Sequence, residues 1–323
     1  MSECHVFAPA DLLPAAWRAL AADGPVRTFN PALLATGDSW LLAYRVVLAD
    51  GRRRLAFCRL DSLLRPVEGS VYPFSDHVRF PASSPYPEVA RTWLADPRLY
   101  TWNQRCFVYW NSGWHEPRNY QFLQEFDPVT WAPAGPPREL VLDGARQPLE
   151  KNWTLFTEGN DLRVVYSAVP HRILALSLDG EGDLRCREIA RTDWSLSAYP
   201  ACHGGLRGGA PPVWHDGRFW SFCHSVHDGP NGYCYVANAY CFGPGPDFRP
   251  TAEPVRGLDL GLPFRRSRTF PRLNPAVDEV IYPCGAVRVG SDWWISHGIN
   301  DEGCAVSRVS AAEVEATLRP RSA

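Results

Sequence analysis

The sequence predicts an all-β chain, a five-bladed β-propeller with short N- and C-terminal helical segments. Three observations carry this reading. First, an apolar, aromatic-rich segment is followed five times, after a short gap, by a second alternating segment. Second, several of the leading segments come straight after a turn signal: Gly37-Asp38, Gly159-Asn160-Asp161, Asp216-Gly217 and Gly290-Ser291-Asp292. Third, Val, Ile, Tyr, Phe and Trp come in short runs, and the chain's 30 prolines fit many loops and few long helices. The units recur every ~55–75 residues, and radial repetition of such units leaves only short strand edges.

The elements follow in order. Residues 9–23 are rich in Ala and Leu and predict a short helix, with Asp11 as its cap and Pro14 in its first turn. The five paired segments are 40–47 with 55–61, 106–111 with 120–127, 162–168 with 173–179, 218–224 with 233–242, and 293–298 with 304–310. The tail 311–318 reads as a terminal helix. No low-complexity linker or charge block divides the chain, so residues 1–323 form one domain with a motif-bearing core at about 27–310. Residues 67–98, 132–154, 194–214 and 243–287 read as long connecting loops, which is where sites on a rigid scaffold gather.

Composition excludes several functions. The formal net charge is −2 and no basic stripe appears, which argues against a nucleic-acid partner. No apolar run approaches the ~18–20 residues of a membrane span. The N-terminus lacks the basic and apolar regions of a secretory signal. The 10 cysteines are scattered without a C-x-x-C, which reads as buried thiols in a reducing compartment and makes the cytoplasm the expected location. His203, His215, His227 and His297 show no metal-ligand spacing, so no metal is expected. The reading admits a homo-oligomer.

Five motifs stand in the same place relative to their blades. They are Arg27-Thr28-Phe29-Asn30-Pro31, Ala95-Asp96-Pro97-Arg98-Leu99, Glu150-Lys151-Asn152-Trp153-Thr154-Leu155-Phe156, Gly208-Gly209-Ala210-Pro211-Pro212-Val213 with His224, and Tyr282-Pro283-Cys284-Gly285-Ala286 with Asp301. In a propeller, equivalent positions surround one axis. The motifs should therefore bring Asp96, Asp301, Arg27, Arg98, Lys151, His224 and several aromatics into one funnel. A carboxyl group among cations can serve as acid or base. Arg, Lys and His bind oxyanions, and aromatic faces suit sugar rings. Together they predict a carbohydrate site with a phosphate subsite. Trp153 and Trp102 are the candidates for stacking on sugar. Asp96-Pro97 also fits a plain turn, and Lys151 beside Glu150 also fits a solvated pair.

The motif series resembles glycoside hydrolase family 130, the β-mannoside phosphorylases and hydrolases, within a wider clan of five-bladed propellers. The matching residues are Asn30-Pro31, Ala95-Asp96-Pro97-Arg98, Lys151 to Phe156, Gly209-Ala210-Pro211-Pro212 with His224, and Gly298-Ile299-Asn300-Asp301. The resemblance implies that Asp96 is the proton donor, acting through a sugar hydroxyl, while inorganic phosphate attacks the anomeric carbon with inversion. It implies that Arg98, Lys151 and His224 bind phosphate. Arg27, Asn30, Arg45, Trp153 and Asp301 would bind the sugar. Phosphate would be a co-substrate, with no other cofactor, and the partner an oligosaccharide or sugar phosphate. Ala95 stands where the family has Glu, and Cys223-His224 where it has Tyr-His. Such departures leave a glycoside hydrolase or glycosyltransferase on the same fold as alternatives. A hydrolase would draw a base from Glu88, Glu116, Glu150 or Glu158. A non-catalytic propeller that binds glycans or proteins is the remaining rival.

Overall fold

The computed structural model describes residues 2–22, 24–113, 118–177, 182–196, 199, 205–262 and 269–321. The described chain is all-β, with strands paired in consecutive antiparallel groups. After β1 (Glu3–Val6), the first group is β2 (Arg27–Thr36), β3 (Ser39–Val47) and β4 (Arg53–Leu60). The second is β5 (Ala95–Trp102), β6 (Arg105–Asn111), β7 (Gln121–Phe126) and β8 (Arg138–Leu142). The third is β9 (Thr154–Glu158), β10 (Asp161–Ser167), β11 (His171–Ser177) and β12 (Leu184–Thr192). In the fourth, β13 (Leu206–Arg207) and β14 (Val213–His215) both pair with β15 (Arg218–Gly229), followed by β16 (Gly232–Phe242) and β17 (Pro250–Pro254). The last is β18 (Val277–Val289), β19 (Asp292–Ile299) and β20 (Gly303–Ser310), and β1 pairs with β20, so the N-terminal strand completes the C-terminal group. A short β21 (Leu318–Pro320) lies on β17.

Every paired segment read from the sequence is a strand pair here, with bounds shifted by a few residues at most except at the C-terminal end of β15. Alternating apolar side chains on strands of this length must be buried between sheets, and the clusters show between which. Phe57, Phe74, Trp110 and Phe122 fill the space between the first and second groups. Tyr109, Trp153, Leu155 and Val164 do so between the second and third. Phe156, Ile173, Phe219 and Tyr240 join the third and fourth, and Trp220, Phe222, Trp293 and Ile295 join the fourth and fifth. Phe7, Trp40, Tyr44 and Val306 join the fifth back to the first. The leading strands meet at the centre, where β2 touches β5 and β18, and β5 touches β9 and β18.

Several expectations are corrected. Residues 9–23 form separate 3-10 turns at Pro9–Leu12, Ala15–Trp17 and Ala19–Ala21, because Pro14 interrupts a continuous helix, and Asp11 caps none of them. The expected loops are partly strand: 132–154 holds β8, 194–214 holds β13, and 243–287 holds β17 and most of β18. Residues 67–98 hold a 3-10 turn at Phe74–His77, a one-turn helix α1 (Glu88–Thr92) and the start of β5. The tail helix is α2 (Ala311–Glu315), closed by a capping box between Ser310 and Glu313. Cys58, Cys186, Cys223, Cys241, Cys284 and Cys304 are buried free thiols, while Cys202 lies outside the described residues. Among the described residues no helix is long and apolar enough to cross a membrane.

Candidate functional site

The motif residues sit where the leading strands become irregular. The β2–β3 register shifts between Phe29 and Ala32, and the β5–β6 register between Ala95 and Arg98. At each bulge the residue before proline is left-handed, Asn30 with φ +53 and Asp96 with φ +53. Asn and Asp tolerate this conformation, and the proline has no N–H to leave unpaired in the ladder. A bulge re-aims a side chain. Here both side chains turn into a central cavity of about 420 Å³, within the range of small-molecule sites. In the fourth group the leading strand is interrupted between β13 and β14 by Gly208-Gly209-Ala210-Pro211-Pro212. Gly209 is required there, because a Cβ would sit 2.6 Å from the Phe222 carbonyl.

Asp96 is the centre of the cavity's polar network. Its Oδ1 accepts from Asn30 Nδ2 at 2.7 Å and from Arg45 Nη1 at 3.3 Å, and its Oδ2 accepts from Asn111 Nδ2 at 3.4 Å. Burial alone would raise the carboxyl's pKa. Arg45, Arg98 and Lys151, with the Asn30 hydrogen bond, outweigh burial and hold it below the ordinary aspartate value. Asp96 is therefore an aspartate anion at neutral pH. Lys151 stays accessible within the cavity; desolvation lowers its pKa and Asp96 opposes that shift.

His224 is buried against Tyr235 (5.0 Å, stacked) and Tyr282 (4.8 Å, edge-on). Desolvation, then the charges of Arg207 and Arg98, drive its pKa down to about 3. It is therefore a neutral imidazole at neutral pH and adds hydrogen-bonding capacity rather than charge. The cation on that side is Arg207, which pairs with His224 across the β13–β15 ladder and lines the cavity. Asp301 lines the cavity from the β19–β20 turn, also left-handed at φ +57.

Six of the nine residues singled out in the sequence thus meet in one cavity: Asn30, Arg45, Asp96, Lys151, His224 and Asp301. The other three are placed elsewhere. Arg98 is 1% exposed; its guanidinium donates to the carbonyls of Gly209, Asp96 and Pro97 and to Tyr282 Oη at 2.7 Å. Those bonds tie the second group to the fourth and fifth, so Arg98 braces the hub and has its donors occupied. Trp153 is 1% exposed, packed on Tyr166 and bonded through Nε1 to Glu150 Oε2, which leaves no face for a sugar. Arg27 is buried, donates to the Pro271 carbonyl and stacks on Phe270.

Glu150 is not a solvated partner of Lys151. It is 2% exposed and accepts from Gln147 N, Tyr166 Oη and Trp153 Nε1, which fixes the loop that carries Lys151. That also removes it as a hydrolytic base. Glu88 is exposed on α1 and Glu158 is engaged with Gly245 N and Arg163, while Glu116 lies outside the described residues. Trp102 ends β5, six residues beyond Asp96 and outside the cavity lining, its Nε1 on the Asn160 carbonyl. Sequence reasoning missed Arg53, Trp93, Asn111, Arg207, Tyr235 and Tyr282. Asn111 and Tyr282 were findable, as the end of the second pair's first strand and the first residue of the fifth motif.

Gly298 shows how tightly the site depends on the scaffold. A Cβ there would lie 2.1 Å from Asn30 Oδ1. Gly298→Ala is expected to displace Asn30 from Asp96 and lower the unfolding free energy by about 1.5–3 kcal/mol, the worth of a hydrogen bond to a charged group. Chemical denaturation checks it, and an unchanged unfolding free energy would mean that Asn30 yields without cost.

No protein-family model matches the chain, and no curated protein matches it in sequence. Solved structures do match over nearly the whole length. A β-1,2-mannobiose phosphorylase from Listeria innocua is 11% identical with a TM-score of 0.63, covering 98% of this chain and 99% of that one. A structure described among the family 130 glycoside hydrolases that target β-1,2-mannosidic linkages in Candida mannan is 13% identical with a TM-score of 0.63, covering 92% and 86%. A GDP-Man-dependent mannosyltransferase from Leishmania mexicana is 12% identical with a TM-score of 0.54, covering 88% and 85%. The chain has the fold of the glycoside hydrolase family 130 mannoside phosphorylases and hydrolases, at a sequence distance where the fold is what is shared.

Proposed function

We propose that the chain is a divergent family 130-like five-bladed β-propeller that transfers a glycosyl unit, mannosyl in the first instance, between an oligosaccharide and inorganic phosphate. The observation that carries this reading is the cavity's charge. Lys151 and Arg207 line the cavity on the side of His224, two positive charges suited to a phosphate dianion. The five apolar clusters, each joining consecutive groups and the last joining the two chain ends, support the five-bladed arrangement.

In this reading Lys151 and Arg207 hold phosphate, with His224 as a neutral hydrogen-bonding partner. Asn30, Arg45 and Asp301 hold the sugar. The phosphate oxygen forms a bond to the anomeric carbon as the bond to the leaving oxygen breaks. Asp96 delivers a proton to that oxygen through a sugar hydroxyl. The proton shed as hydrogen phosphate becomes the ester dianion restores the carboxylic acid. Phosphate binding prepares the step, because its charge offsets the cations that otherwise keep Asp96 ionised. Arg98 supports the site from behind.

The test is phosphate release from a panel of sugar 1-phosphates, α-mannose 1-phosphate first, with mannose and related acceptors. Acceptor-dependent release is expected. No release from any donor overturns the phosphorylase reading. Lys151→Ala is expected to raise the phosphate concentration needed by about 10–100-fold, the loss of one charge-assisted contact. His224→Ala should raise it less. Phosphate dependence unchanged in both variants would remove the subsite from this side of the cavity. Hydrolysis is the second reading, favoured by Asp301 as a second carboxylate in the same cavity. Sugar release without phosphate would select it.

A further inference from the structure

The cations of the cavity fall on two sides. Lys151 and Arg207 come from the third and fourth groups, beside His224. Arg45 and Arg53 come from β3 and β4 of the first group. The Arg53 guanidinium lies over the Trp93 ring, 4.7 Å from its centroid, so the two form one wall. Gly113, left-handed at φ +71, closes on that wall so nearly that a Cβ would meet Trp93 Nε1 at 2.1 Å.

This wall is electrostatically unfinished. Burial, then the like charges of Arg45 and Arg27, pull the Arg53 pKa down to about 10, opposed by Asp301. Arg45 already shares its carboxylate, Asp96, with Asn30 and Asn111. Among the described residues Arg45 Nε, Arg53 Nε and Trp93 Nε1 are buried with no hydrogen-bond partner. All of these are donors with no acceptor capacity. Arg53 Nη1 donates to the Gly51 carbonyl, and the buried donors left without a partner are completed by a strong acceptor, for which an oxyanion outcompetes a neutral hydroxyl.

We propose that the Arg53–Trp93 wall is a second anion subsite, distinct from the Lys151–Arg207 side, and that it binds the oxyanion of an acidic acceptor sugar. The shared chemistry is a hexose bearing a phosphate ester or a carboxylate. The assignment to the acceptor rests on the reading that inorganic phosphate occupies the Lys151–Arg207 side. Trp93 supplies the apolar face under the ring and Arg53 the charge, which makes Arg53 the residue that sets acceptor specificity.

Calorimetric titration of the full chain tests this. Mannose, mannose 6-phosphate and glucuronate are titrated with inorganic phosphate already saturating. An acidic sugar is expected to bind about ten-fold or more tightly than mannose, the worth of a charge-assisted hydrogen bond. The stronger of the two acidic sugars identifies the source of the oxyanion. Arg53→Gln is expected to erase the preference and still bind inorganic phosphate. Equal affinity for neutral and acidic sugars, or a preference that survives in Arg53→Gln, overturns the proposal. So does one-for-one displacement of inorganic phosphate by the acidic sugar, which would place it on the Lys151–Arg207 side. That competition uses the unaltered chain and decides the matter even if Arg53→Gln does not fold. An acidic sugar bound at Arg53 with no turnover of any sugar 1-phosphate would sink the phosphorylase reading and leave this one standing.

Discussion

Asp96→Asn is expected to lose about 10³-fold or more in turnover while binding inorganic phosphate more tightly than the unaltered chain. The first half follows from removing the group assigned to protonate the leaving oxygen, since general acid catalysis supplies roughly 10²–10⁴-fold. The second follows from charge. Asp96 is an anion and competes with phosphate for Lys151. Asn is close in shape and still accepts the Asn30 hydrogen bond, so the carboxylate's charge is removed without opening the bulge that holds the residue. A merely structural Asp96 would give the opposite pattern, with phosphate binding and folding failing together. Circular dichroism, calorimetric titration with phosphate and the phosphate-release assay separate the two. Full activity in the variant would remove Asp96 from the mechanism.

The strand pairs were legible because their alternation is strong and their turns are marked by Gly, Asp and Asn. The leading strand of each group was not. β2, β5 and β18 contain Pro31, Pro97 and Pro283, and β13 and β14 are only two and three residues long. Proline within an apolar run reads as a loop signal, and only the bulge geometry makes it compatible with the ladder. The N-terminal strand was invisible for another reason. Glu3–Val6 has no pattern of its own, and what makes it a strand is the free edge of β20, some 300 residues away.

The site was legible where a side chain's role is set by its own strand. Asn30, Asp96 and Lys151 could be aligned by their position before a blade. Arg98 and Trp153 could not be assigned that way, because sequence position fixes which strand a residue leads but not which way it points. Arg98 lies two residues after Asp96, yet the bulge between them turns Asp96 into the cavity while Arg98 goes into the hub. Arg53 and Trp93 were missed because their contact is between a strand and a loop of different groups, joined by a single bridge.

Acid is expected to destabilise the protein steeply, by about 2–3 kcal/mol per pH unit between pH 6 and 4.5. His171, His224 and His297 are buried, and desolvation drives their pKa values to about 4, about 3 and about 3. Each stays mostly neutral in the folded chain over this range but takes up a proton when unfolded, near the ordinary pKa of ~6.5. The unfolded state therefore binds more protons, and stability falls as pH falls. Glu139 works the other way. Burial raises it to about 7 against the pull of Arg118, so the folded chain holds a proton there that the unfolded chain releases above ~4.5. The net difference is about two protons. Below pH 4.5 the Glu139 offset fades while His171 takes up its own proton in the folded state, so the slope levels off. Urea denaturation at pH 7, 6 and 5 measures the slope, and a flat profile would mean that the imidazoles are already protonated in the fold. His171→Phe keeps a ring against Tyr240 and Phe242 and removes one titrating group. It should lower the slope by about 1.4 kcal/mol per pH unit. The same replacement at position 224 should lower it equally but weaken phosphate binding. That difference separates the histidine that only fills the core from the one that faces the cavity.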